Sequence, residues 1–129
     1  AQKYAAMDDV ELLGVVDVTR GLKKGGWILV NSPCLPKDLK PFEGYRLAYV
    51  DAGRIALGLG LGSSTQPIIN TAMMGAFARM MGAPSLEAVV EAIKAEMPQK
   101  REENAAAARE AYEAVVLAGL VEPRKEAAE

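Results

Sequence analysis

An open, mostly parallel α/β sheet with flanking helices is the fold that three features of this chain predict. Trp27-Ile28-Leu29-Val30 is an uninterrupted apolar run of the kind buried on both faces of a parallel sheet, and it stops at the polar pair Asn31-Ser32. Arg46 to Val50 forms a second strand and passes at Asp51 directly into a helix, which gives the strand and helix alternation of α/β proteins. Leu86, Val89, Val90, Ile93 and Met97 then recur at helical spacing, so the rest of the chain supplies amphipathic helices to cover the sheet. Half of the 129 residues are hydrophobic, enough for one domain with a sizeable core. That α/β domain is expected over 1–121, with 122–129 as a solvated tail.

Taken in order, Ala1 to Asp8 carry no pattern and read as a tail. Val10, Leu12, Leu13, Val15 and Val16 are too densely apolar for a surface segment and lead into a short helix over Val18 to Lys24, with Asp17 as its N-cap. Lys23 and Lys24 suit the negative end of that helix, and Gly25-Gly26 stops it. After the strand over 27–30, Pro33, Pro36 and Pro41 make a loop, with a single helical turn expected at Lys37-Asp38-Leu39. The helix begun at Asp51 runs through Leu59 and leaves by the glycine-rich run Gly58 to Ser64.

Pro67-Ile68-Ile69 reads as extended, and Asn70 or Thr71 can cap the helix that follows. In that helix Met73, Phe77 and Met80 face a core, while Ala72, Gly75, Ala76 and Ala78 leave other faces almost bare and open to close approach. Packing within the chain or between subunits is the preferred explanation for so bare a helix, ahead of a ligand. Gly82-Ala83-Pro84 ends it, and Ser85 caps the next helix, which Pro98 ends. A last helix is expected from about Arg101 to Ala118, with Ala105, Ala108, Tyr112, Val115 and Val116 on one face and Gly119 past its end.

Several chemistries are excluded. Without histidine there is no Ser-His-Asp triad, Cys-His dyad or histidine metal site, and Cys34 alone can neither close a disulfide within the chain nor hold a four-cysteine iron–sulfur cluster. A net charge of -2 with 5% aromatic residues gives no nucleic-acid footprint. No apolar run reaches the roughly 20 residues of a membrane span and no secretory signal is visible, so the cytoplasm is expected. Gly58-x-Gly60-x-Gly62 follows a helix and lacks the P-loop lysine, so it reads as a helix exit. Cys34 has no cationic neighbour in sequence to stabilise a thiolate, and Asp8-Asp9 falls short of a metal site. Asn31-Ser32, Asp51 and Asn70-Thr71 remain, the small polar ends of three extended segments. Open α/β sheets bind ligands outside the carboxyl ends of their strands, so these groups are either a shared crevice or simply helix caps and loop starters.

The runs VDVTRGLKKGGWILVNS, YRLAYVDAGRIAL and PIINTAMMGAFARMMGAPSLEAVVEAI, in one order from Val10 to Tyr112, resemble the gamma subunit of 2-oxoacid:ferredoxin oxidoreductases, the pyruvate synthase group. That resemblance implies a Rossmann-like domain in a multisubunit enzyme that converts a 2-oxoacid and coenzyme A to an acyl-CoA and CO2 while reducing ferredoxin. It implies that thiamine diphosphate and the iron–sulfur clusters belong to companion alpha, beta and delta-type subunits. The gamma part, not catalytic alone, would have a structural and coenzyme A-positioning role, with Asn31, Ser32, Asn70 and Thr71 as the candidate contacts. The family's glycine-rich GRGGQG turn does not precede Val10, so the sheet is expected to be incomplete at its N-terminal side. Two other functions are weighed. Leu22-Lys23-Lys24-Gly25-Gly26 before an apolar strand is similar to a segment of S-adenosylmethionine-dependent methyltransferases, and a ligand-free scaffold would use the bare helix to dock companions.

Overall fold

A computed structural model gives the fold and describes residues 2–7 and 22–123. Strands β1 (Gln2–Met7), β2 (Leu22–Asn31), β3 (Arg46–Val50) and β4 (Val116–Leu120) form one sheet in that spatial order. β1, β2 and β3 are parallel and β4 runs antiparallel to β3, so the sheet is mostly parallel as expected. Helices α1 (Ala52–Gly58), α2 (Asn70–Met81), α3 (Leu86–Glu96) and α4 (Arg101–Ala114) lie between β3 and β4 in the chain.

The apolar run of β2 divides its side chains between two cores, because successive residues of a strand point to opposite faces. Leu29, with Ala48 and Val50 of β3, packs against Ala52, Ala56, Ala72, Ala76, Met80, Ala107 and Ala111 on the helical side. Ile28 and Val30, with Leu47, pack on the other side against Phe42, Tyr45 and Val121. The parallel connection from β2 to β3 covers that second face without an α-helix. It uses a single 3-10 turn, Lys40–Phe42, which buries Phe42 completely. α3 forms an outer layer, laying Val89, Val90 and Ile93 on Ala78, Ala105 and Ala108.

The small residues of α2 and α4 determine how these helices cross. A Cβ built on Gly75 would lie 2.7 Å from both the carbonyl carbon and the Cα of Ala108, and closer still to its carbonyl oxygen. Main chain therefore meets main chain, and packing within the chain accounts for the bare face of α2. Met80 is buried in the core, with Met73 and Phe77 packed at its margin.

Caps follow the residues that predict them. Asp51 Oδ1 accepts the Arg54 N–H at 3.0 Å, and Ser85 Oγ accepts the Ala88 N–H at 3.1 Å. Gly82, at φ +75°, closes α2. The exit of α1 is a Schellman motif: Leu61 N–H reaches Ala56 O at 2.8 Å and Gly60 N–H reaches Leu57 O at 3.2 Å, with Gly60 at φ +72°. Leu59, Gly60 and Leu61 thus direct their amides into the helix they leave, and Ser63 N–H goes to Gln66 O at 3.1 Å.

Five segments depart from expectation. Gln2–Met7 is a strand rather than a tail, made one by parallel pairing to β2 despite its weak strand propensity. Leu22 to Lys24 belong to β2 rather than to a helix; Gly25 N–H bonds Gly44 O at 2.8 Å, and Lys24 Nζ bonds Glu43 O at 3.1 Å and lies 4.3 Å from the Tyr45 ring centre. The expected Asp17 cap, the run Val10 to Val16, residues 18–21 and the pair Asp8-Asp9 fall outside the described residues. The helical turn expected at Lys37 to Leu39 lies further along, at Lys40–Phe42. Ile69, not Asn70 or Thr71, caps α2; it has helical φ/ψ rather than extended geometry and gives no side-chain bond. Finally α4 ends at Ala114, and the β-branched pair Val115-Val116 turns the chain into β4, where β3 still offers an unpaired edge. Among the described residues no helix is long and apolar enough to cross a membrane.

Candidate functional site

The carboxyl ends of β2 and β3 open into a cleft of about 760 Å³. Ser32 and Pro33 form one wall, Tyr49, Val50 and Asp51 the floor, Arg54 and Ile55 of α1 with Leu59 at its C-cap another wall, and Arg109, Glu110 and Glu113 of α4 the far side, beside Val116. The antiparallel pairing of Tyr49 with Val116 brings the beginning of β4 to this end of the sheet. An open α/β sheet binds ligands in this position because the side chains that leave its strands converge there.

Two of the polar strand ends meet. Asn31 Oδ1 accepts the N–H groups of Ala52 at 2.9 Å and Gly53 at 3.3 Å, while Asp51 holds Arg54 N–H. The first three amides of α1 are therefore occupied by side chains of the protein, and the helix start is a joint between β2 and β3 rather than an open anion site. Ser32, only 7% exposed, donates its hydroxyl to Cys34 O at 2.7 Å, and its Oγ accepts the Cys34 N–H at 3.4 Å. This double contact fixes the turn that forms the cleft wall. Cys34 itself is exposed. Replacing Asn31 with alanine is expected to cost about 1–2 kcal/mol, the usual loss for a cap that holds two amides, with a matching fall in the urea midpoint and no change in slope.

The third polar end lies elsewhere. Thr71 is 3% exposed and donates its hydroxyl to Asn104 Oδ1 at 2.8 Å; Asn104 in turn donates Nδ2–H to Lys100 O at 2.9 Å. Asn70 is exposed and lines a separate, mostly apolar hollow of about 350 Å³ with Leu29, Met73, Met74, Phe77, Pro84 and Val89. The sheet thus brings Asn31, Ser32 and Asp51 together and leaves Asn70 and Thr71 outside the cleft.

Sequence reading missed Tyr49, Arg54, Arg109, Glu110 and Glu113 as cleft residues. The glutamates and arginines of 101–114 resemble any solvated helix face, and only the turn from α4 into β4 shows that this face borders a cleft. Arg54 and Arg109 form no ion pair among the described residues, where Lys94–Glu102 at 3.5 Å is the pair seen. No group of three or more metal-ligating side chains is found among the described residues.

Residues 2–114 match the family described as pyruvate ferredoxin/flavodoxin oxidoreductase. The chain belongs to that family. The pyruvate/ketoisovalerate oxidoreductases common subunit gamma of Thermococcus litoralis is 43% identical over 120 residues, which cover 84% of this chain and 59% of the relative. Pyruvate synthase subunit PorC of Methanocaldococcus jannaschii is 42% identical over 111 residues, covering 84% of this chain and 57% of the relative. The crystal structure of pyruvate oxidoreductase subunit PORC from Thermotoga maritima matches with a TM-score of 0.71 at 31% identity, over 88% of this chain and 64% of that one. This member of the family therefore spans 57–59% of the length of those two curated relatives. Its fold is similar to that of the PORC subunit over the 88% of this chain that the match covers.

Proposed function

We propose that this protein acts as the gamma-type subunit of a 2-oxoacid:ferredoxin oxidoreductase, a complex that converts a 2-oxoacid and coenzyme A to an acyl-CoA and CO2 with reduction of ferredoxin. The observation that carries this reading is the family match over residues 2–114 together with 43% identity to a gamma subunit. Thiamine diphosphate and the iron–sulfur clusters sit on companion alpha, beta and delta-type subunits in the cytoplasm. This division of labour agrees with a sequence that has no histidine and one cysteine.

Its own role is to complete the assembly and help position coenzyme A. Asn31 and Ser32 shape the cleft wall, Asn70 stands exposed at the start of α2, and Thr71 fixes where α2 begins. Arg54 and Arg109 are the cations that a phosphorylated ligand meets at the cleft, although Asp51, Glu110 and Glu113 oppose them. Recognition there depends on local pairing with a guanidinium rather than on the field of the cleft. Purification with native partners tests the assembly: subunits carrying thiamine diphosphate and iron–sulfur clusters should co-purify, and their absence favours a scaffold unrelated to this chemistry. In the reconstituted complex Arg54→Ala should raise the KM for coenzyme A about tenfold with kcat nearly unchanged, as expected for losing one charge-assisted contact of about 1.5 kcal/mol. An unchanged KM removes the cleft from the coenzyme A site.

A further inference from the structure

We propose that Lys100 is a positioning residue for the cleft: its ammonium ties the exit of α1 to the start of α4 and so fixes how far apart these two helical walls stand. The inference deepens the proposed function and rests on it only for the identity of the ligand. α1 brings Arg54 and Ile55 to the cleft and the last turns of α4 bring Arg109, Glu110 and Glu113, so the two cations that a ligand meets stand on separate helices. α1 has seven residues, of which Ala52 and Ala56 are buried. Asn31 and Asp51 hold its first amides, and its far end closes through Gly60 N–H on Leu57 O and Leu61 N–H on Ala56 O. Lys100 Nζ donates to Gly60 O at 2.5 Å across a separation of 40 residues, and a Cβ on Gly60 would lie 3.7 Å from that ammonium.

The backbone at Lys100 points to its side chain as the reason for a lysine. Among the described residues Lys100 is the one non-glycine at positive φ, with φ 53° and ψ 43°. Glycine adopts this left-handed conformation without strain, and lysine does not. A glycine would also supply the carbonyl that Asn104 bonds through its backbone N–H and its Nδ2–H, both at 2.9 Å. What the lysine adds is a cation that reaches Gly60 O. Strain of this kind persists where surrounding contacts impose it, and here they are the Lys100 ammonium on α1 and the chain from Thr71 of α2 through Asn104 to Lys100 O. α1, α2 and α4 are therefore joined at one residue. Leu61, 3% exposed, anchors the following loop to the core, so removing the tie frees the exit of α1 without unfolding it.

Hydrogen exchange of the full chain and kinetics of the reconstituted complex test this together. Lys100→Met should speed exchange at the Leu59, Gly60 and Leu61 amides about fivefold and raise the KM for coenzyme A about threefold with kcat nearly unchanged. Lys100→Arg, which keeps a cationic donor, should stay close to wild type on both counts. Lys94→Met removes an exposed ion-pair lysine and should change neither. Lys100→Gly separates positioning from stability: glycine suits the left-handed backbone, so its melting temperature should equal or exceed that of Lys100→Met, yet exchange and KM should rise as they do in the methionine variant. Unchanged exchange at 59–61 in Lys100→Met, failure of Lys100→Arg to keep it slow, or a KM that rises only in variants that also lose stability overturns the proposal. Arg54→Ala tells that failure from failure of the coenzyme A reading: if this variant leaves KM unchanged, coenzyme A does not occupy the cleft, and amide exchange in the Lys100 variants decides alone.

Discussion

Gly75→Ala is expected to be among the most damaging single-methyl additions to this protein, lowering stability by about 2 kcal/mol even though alanine is the better helix former by roughly 1 kcal/mol. The added Cβ would fall on the Ala108 backbone, 2.7 Å from its C and Cα atoms, where no rotamer can move the obstacle. α2 and α4 must separate. Small residues, Ala72, Ala76, Ala107 and Ala111, share the core that this crossing closes, so separation loosens contacts well beyond Gly75. For a chain of this size the melting temperature should fall by about 6–10 °C. Ala108→Gly, combined with Gly75→Ala, should give no rescue because the colliding atoms are main chain. A rescued double mutant would mean that the helices approach through side chains instead.

The same crossing shows what was legible in the sequence. Gly75 among alanines announces close approach, Asp51 and Ser85 announce their helices, and the run 27–30 announces a strand buried on both faces; each of these signals is local and physical. The sheet's margins were different. β1 is a strand because β2 lends it a backbone ladder, and Lys23-Lys24 extend because Tyr45 and Glu43 O receive Lys24. Neither cause lies within the segment's own residues. β4 was hidden in a similar way: Val115-Val116 continue the apolar pattern of α4 at helical spacing, and only the open edge of β3 decides for a strand. The candidate site inherits that division. Asn31, Ser32 and Asp51 could be placed together from the strand-end rule, whereas Arg54, Arg109, Glu110 and Glu113 become cleft residues only through the α4–β4 turn.

Thr71 and Asn70 are adjacent in sequence and should behave oppositely when replaced. Asn104→Leu should destabilise the protein by about 2–3 kcal/mol, because it strands the Thr71 hydroxyl, 3% exposed, and removes the side-chain donor to Lys100 O. That carbonyl belongs to a residue at φ +53°, so the αL turn that opens α4 also loses a tie. Thr71→Val should cost about 1–2 kcal/mol by leaving Asn104 Oδ1 unmet, and the double variant Thr71→Val with Asn104→Leu should cost less than the sum, since both polar partners are then gone. Additive losses in a double-mutant cycle would mean that the two side chains do not form the buried bond. Asn70→Ala, at an exposed position, should leave the unfolding midpoint within about 0.5 kcal/mol of wild type. The pair therefore separates folding from ligand contact in the reconstituted oxidoreductase: a raised KM for coenzyme A in Asn70→Ala, at unchanged stability, places α2 at the ligand. The same rise seen only with Thr71→Val would report a displaced helix.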